Sequence, residues 1–105
     1  MVAFSEIQEF THALVRDFHP HRVVLFGSHA AGLAKDDSDV DILVTMDYRG
    51  NSLRTAAKII RQLKPRFAVD LIVRTESELK HRIRQADTFL TEASTRGQVL
   101  YEASN

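Results

Sequence analysis

A chain of 105 residues, 44% of them hydrophobic, suffices for one domain with a modest core and leaves little room for a separate substrate domain. Lysine plus arginine balances aspartate plus glutamate at 14 each, so no net charge draws the chain to phosphate backbones, and general nucleic-acid binding is not expected. Having no cysteine, the sequence excludes disulfides, thiolate zinc sites and a cysteine nucleophile, which fits a reducing, cytoplasmic setting.

The acid-bearing stretch 1–10 does not read as a signal peptide, and no apolar run approaches the ~20 residues that span a bilayer. Residues 1–105 are read as a single domain with no membrane segment. Phe4, Ile7, Phe10, Leu14 and Phe18 recur at spacings of three and four and predict a first helix, with Ser5 as its cap and Pro20 ending it. Val23 to Phe26 is a short apolar run that reads as a buried strand. Gly27 breaks it, Ser28 is placed as the N-cap of a short helix over His29 to Ala31, and Gly32 stops that helix. Lys35 to Ser38 reads as a polar loop and Val40 to Val44 as a second strand. A helix from Ser52 to Leu63 would present Leu53, Ala56, Ala57, Ile60 and Leu63 on one face, and Pro65 ends it. Val69 to Val73 reads as a third strand, Glu76 to Ala86 and Thr88 to Ser94 as helices, with Gly97 ending the second, and Val99 to Tyr101 as a last short strand. Strands alternating with helices predict an α/β layer fold, with the strand order open.

The strongest chemical signal is Asp39-Val40-Asp41, which opens an otherwise apolar strand. Residues two apart on a strand share a face, ~6.5 Å apart, so both carboxylates can converge on one point. Asp70 sits alone in the apolar run Val69 to Val73 and would join them if the two strands are neighbours in register. Two carboxylates ~4 Å apart repel by roughly 4 kcal/mol at an effective dielectric near 20, so a raised pKa or a bound cation must compensate. Carboxylate oxygens are the hard ligands that Mg²⁺ and Mn²⁺ prefer. Competing readings make Asp39 a turn residue, Asp41 a solvent-facing edge residue and Asp70 a partner of a base such as Arg66. A calcium loop fails because Ile42 stands where glycine is needed and Tyr48 where glutamate is.

Ahead of the acids lies Gly27-Ser28, following a strand and opening a helix, where glycine allows close backbone approach and free N–H groups with a hydroxyl suit phosphate. Gly27 and Gly32 have P-loop spacing, but Leu33 and Ala34 replace the lysine and hydroxyl residue that must follow. A phosphate turn beside acids that can hold metal is what a triphosphate site needs.

Leu25-Phe26-Gly27-Ser28, Gly32, Ser38-Asp39-Val40-Asp41 and Asp70 together resemble the signature of the DNA polymerase beta-like nucleotidyltransferase superfamily. The short length, and an end reading Gly97-Gln98-Val99-Leu100-Tyr101-Glu102, resemble its minimal nucleotidyltransferases. The resemblance implies a mixed sheet of three or four strands flanked by helices and two Mg²⁺ ions, with Mn²⁺ as an alternative. Asp39 and Asp41 would bind both ions, and Asp70 would bind one and help activate the acceptor hydroxyl. Gly27, Ser28 and Ser38 would hold phosphate. The implied reaction moves AMP from ATP to an acceptor and releases pyrophosphate. Many such proteins are antitoxins paired with a helical HEPN-type ribonuclease, which they adenylylate on a tyrosine. Other readings are a contact-only antitoxin with a degenerate site and transfer to a small molecule, the latter calling for an oligomer. The family often carries Gly-Ser-Arg-x-Arg-Gly, whereas His29 and Ala31 occupy those arginine positions here. Tyr48 and Arg49 are read as loop residues or as a border to the nucleotide base. Lys80, His81, Arg82 and Arg84 are read as a solvated helix face.

Overall fold

In the computed structural model, which describes residues 2–104, the apolar runs become strands of one sheet and the periodic stretches become helices on its two faces. The order is α1 (Phe4–Phe18), β1 (Arg22–Phe26), α2 (Gly27–Ala31), β2 (Val40–Thr45), α3 (Ser52–Leu63), β3 (Val69–Arg74), α4 (Glu76–Arg84), α5 (Thr88–Arg96) and β4 (Gln98–Glu102). Across the sheet the strands run β3-β2-β1-β4. β1 pairs antiparallel with both β2 and β4, while β2 pairs parallel with β3 through the α3 crossover. This is the mixed, helix-flanked sheet of the nucleotidyltransferase pattern.

Alternation along the strands builds two cores. Val23, Leu25, Val40, Ile42, Val44 and Val73 face α1 and α3, where Ile7, Phe10, Leu14 and Ile59 meet them. Val24, Phe26 and Leu43 face the other way, against Leu79 of α4 and Leu90 and Ala93 of α5. Each fully buried Val, Leu, Ile or Phe contributes about 1.5–3 kcal/mol of transfer free energy, so two-sided burial pins the register of β2.

Four local expectations are corrected. Ser5 does not cap α1: the helix begins two residues earlier than that cap requires, at Phe4, with Ala3 as N-cap and its carbonyl accepting from the Glu6 and Ile7 amides. Ser28 lies inside α2, whose N-cap is Phe26 and which has no side-chain cap. The core-facing stripe of α3 is Ala56, Ile59, Ile60 and Leu63, while Leu53 is 79% exposed and Ala57 is also exposed. Leu53 lies in the first turn, where Asn51 caps the helix by accepting from the Leu53 and Arg54 amides. α4 stops at Arg84, short of the expected Ala86, which turns left-handed with φ 60°. Asp87 then caps α5 through the Leu90 amide.

Candidate functional site

The sheet register decides where the acids meet. Asp41 is the second residue of β2; its antiparallel partner is Phe26 and its parallel partner is Asp70. Side chains of register partners on adjacent parallel strands point to the same face, with backbones ~4.8 Å apart. The sequence enforces this placement: Val40 and Ile42 are fully buried on the opposite face, with Val69 and Leu71 packed beside them, so Asp41 and Asp70 must turn to the α4–α5 side. Asp39 immediately precedes the strand and is exposed, as is Asp70, whereas Asp41 is half-buried.

Burial raises the Asp41 pKa above its ordinary value, the neighbouring Asp70 and Asp39 raise it further, and His29 opposes them. The three carboxylates therefore lie in one electrostatic neighbourhood. Among the described residues, none of them has a hydrogen bond or salt bridge to relieve that repulsion, and Arg66 does not pair with Asp70. Nor, among the described residues, do three or more His, Asp or Glu side chains already enclose a cation-sized space. The chemistry of the donor set nevertheless fits a hard divalent ion: it is all carboxylate and has no salt-bridge partner among the described residues.

Gly27 joins this group for a steric reason. Its φ of 73° disfavours any L side chain, and a Cβ there would overlap Asp41 Oδ2 and come within 3.0 Å of its Cγ. The bare backbone of the turn is therefore packed directly on the Asp41 carboxylate. Gly32, with φ 74°, ends α2, and the Leu33 amide donates to the Ser28 carbonyl at 2.9 Å. Ser28 is half-buried, and among the described residues its hydroxyl has no hydrogen-bond partner. Ser38 is already engaged: its Oγ accepts from the Lys35 amide at 2.8 Å, and its own amide donates to the Lys35 carbonyl at 3.1 Å.

His29 has a role that the sequence did not show. Its ring Nε2 lies 3.2 Å from the Ser38 carbonyl, which can only accept, so the ring donates. No spacing rule reports a bond between a helix and a loop nine residues on. A cavity of about 580 Å³ adjoins the turn, with Gly27, Ser28, Leu33, Phe89 and Arg96 in its lining. It lies between α2 and α5, over β1 rather than over the strands that carry the acids.

Tyr48 lies beyond the C-terminal end of β2, opposite the acids, and its hydroxyl donates to Glu78 at 2.6 Å. It does not border the acid cluster. Lys80, His81, Arg82 and Arg84 are exposed on α4, as the solvated-face reading holds, and Arg82 pairs with Asp87 at 3.6 Å.

Residues 7–92 match the protein family described as Nucleotidyltransferase domain, a span holding the turn and all three acids. The chain belongs to the nucleotidyltransferase domain family. Solved structures agree with the assignment. A toxin–antitoxin crystallised with AMP-PNP is similar to this nucleotidyltransferase domain at 27% identity and a TM-score of 0.58, over 92% of this chain and 74% of that one. A putative nucleotidyltransferase from Sulfolobus solfataricus is 28% identical with a TM-score of 0.58, over 73% and 70% of the two chains. A mutant of the toxin–antitoxin MntA-HpeT is 26% identical with a TM-score of 0.56, over 92% and 74%. No curated protein matches the nucleotidyltransferase domain significantly.

Proposed function

We propose that Asp39, Asp41 and Asp70 hold two divalent ions, Mg²⁺ or Mn²⁺, against the phosphates of ATP, and that the domain transfers AMP to a hydroxyl of a partner protein. The observation that carries this reading is the Asp41–Asp70 register pair, flanked by Asp39, with no salt bridge to any of the three carboxylates among the described residues. The ions supply charge neutralisation at the triphosphate and activation of the attacking hydroxyl. Gly27, lacking a Cβ, lets the backbone of the turn lie directly against the Asp41 carboxylate, and Ser28, whose hydroxyl has no partner among the described residues, can donate to a phosphate oxygen. Ser38 plays a lesser part, because its Oγ already closes the 35–38 turn. Asp70 accepts the proton of the acceptor hydroxyl as its oxygen bonds to the α-phosphorus and the bond to pyrophosphate breaks.

β3 is an edge strand and Asp70 is exposed, so a bulky acceptor can reach this side of the site without a substrate domain. That favours a protein over an enclosed small molecule. The neighbours described as toxin–antitoxins, one with AMP-PNP, support ATP as donor and an antitoxin role; a tyrosine of a helical HEPN-type toxin as acceptor rests on the family resemblance alone. Incubation of the domain with α-labelled ATP, Mg²⁺ and its partner toxin should label the toxin, and Asp39→Asn or Asp41→Asn should abolish labelling. Full labelling by both variants would refute the assignment. His29 and Ala31, standing where the family often has arginine, favour a second reading in which the domain neutralises its partner by contact. Undiminished protection by a variant lacking all three acids would establish that one.

A further inference from the structure

We propose that His29 is a positioning residue that clamps the Asp39 peptide, rather than a cation for the triphosphate. Three observations combine. The ring donates to the Ser38 carbonyl, the peptide oxygen immediately before Asp39. The ladder bonds of β2 begin one residue later, where the Val40 amide donates to the Ala68 carbonyl at 2.9 Å. Asp39 is thus the one acid of the three that lies outside a strand. On its N-terminal side, the turn over 35–38 is closed by the Lys35 amide on Ser38 Oγ and the Ser38 amide on the Lys35 carbonyl. His29 ties this turn to α2, and so to the Gly27 backbone that packs on Asp41.

With Nε2 committed to a carbonyl, the side chain is directed to the loop, and it opposes the rise of the Asp41 pKa. Asp41 and Asp70 do not depend on the clamp, since both are held by strand pairing.

The inference rests on the metal-holding reading for its functional half but not for its structural half, and the variants separate the two. His29→Phe keeps a ring and removes the donor; His29→Gln keeps a donor near the Nε2 position and removes the charge. Hydrogen exchange in metal-free protein is the first readout. In the phenylalanine variant the Ser38 and Val40 amides should exchange about tenfold faster, as loss of one hydrogen bond implies, while the Ile42 to Val44 amides stay unchanged as the folding control. The glutamine variant should stay within about twofold of the parent. Mn²⁺ affinity and kcat should fall about tenfold in the phenylalanine variant with KM for ATP little changed, and glutamine should restore both. Unchanged exchange in His29→Phe overturns the clamp. So does a glutamine variant as impaired as phenylalanine with a raised KM, which would make the charge the working feature. If exchange responds as stated but the parent protein shows no transfer, the clamp stands and the proposed function falls.

Discussion

Asp41→Asn should stabilise the metal-free protein while abolishing its chemistry, a pairing that a merely structural aspartate would not produce. Asp41 and Asp70 lie one strand spacing apart. Two charges ~4.8 Å apart repel by about 0.9 kcal/mol in a water-like dielectric and about 3.5 kcal/mol at an effective value of 20. Asp70 is exposed, which places the pair near the lower limit, so asparagine should gain about 1 kcal/mol. For a domain this small that is a rise in Tm of about 4–8 °C in chelator at neutral pH. The pH dependence has a fixed sign. Burial and two neighbouring acids hold the folded pKa of Asp41 above the ordinary 3.8. Its contribution is therefore fully present below the unfolded value and is lost as pH rises through the folded one. The advantage of asparagine must then shrink as pH falls toward the ordinary value, and high salt must shrink it as well. Thermal unfolding with and without Mg²⁺ is the assay: the wild type should gain Tm on metal and ATP addition, and the variant should not. A variant less stable than wild type in chelator, or one equally stabilised by metal, would refute the electrostatic reasoning.

Gly27→Ala should cost only about 1–2 kcal/mol, the expense of a left-handed alanine, because the Asp41 carboxylate it strikes can swing aside; label transfer should nonetheless fall by more than tenfold. Chemical denaturation alongside the transfer assay separates the two effects. Gly97→Ala makes the opposite case: its Cβ would lie 2.6 Å from the Ala93 carbonyl and 2.7 Å from the Leu25 carbonyl, so urea unfolding should show a loss of about 2–3 kcal/mol. Thr75→Ala breaks the capping box in which Thr75 accepts from the Glu78 amide and Glu78 from the Thr75 amide, so it should cost about 1 kcal/mol by the same measurement and leave the transfer rate unchanged. Ile59→Ala, at a fully buried position, should cost about 2–5 kcal/mol and would confirm that this residue, not Leu53, centres the α3 face.

The strands and the three acids were legible because both follow from period and contrast. A carboxylate inside an apolar run stands out, and the parity of β2 and β3 fixes the face once the register is known. The register itself, Asp41 beside Asp70, needed the β3-β2 pairing, which no local pattern encodes. Caps were read poorly where a serine lay near a helix start but backbone geometry chose another residue, as at Ser5 and Ser28. The α3 face was rotated because Leu53 and Ile59 are equally apolar in sequence, and only the position of the sheet beneath the helix selects Ile59. The Gly97 contact and the His29–Ser38 bond join segments whose proximity is set by tertiary packing.

The most direct measurement is anomalous diffraction from crystals of the domain grown with Mn²⁺ and a non-hydrolysable ATP analogue. Manganese peaks should appear within coordination distance of the Asp41 and Asp70 carboxylates, with the phosphates lying along Gly27 and Ser28. Peaks bound elsewhere, or a nucleotide seated away from this turn with the three aspartates unliganded, would contradict the site.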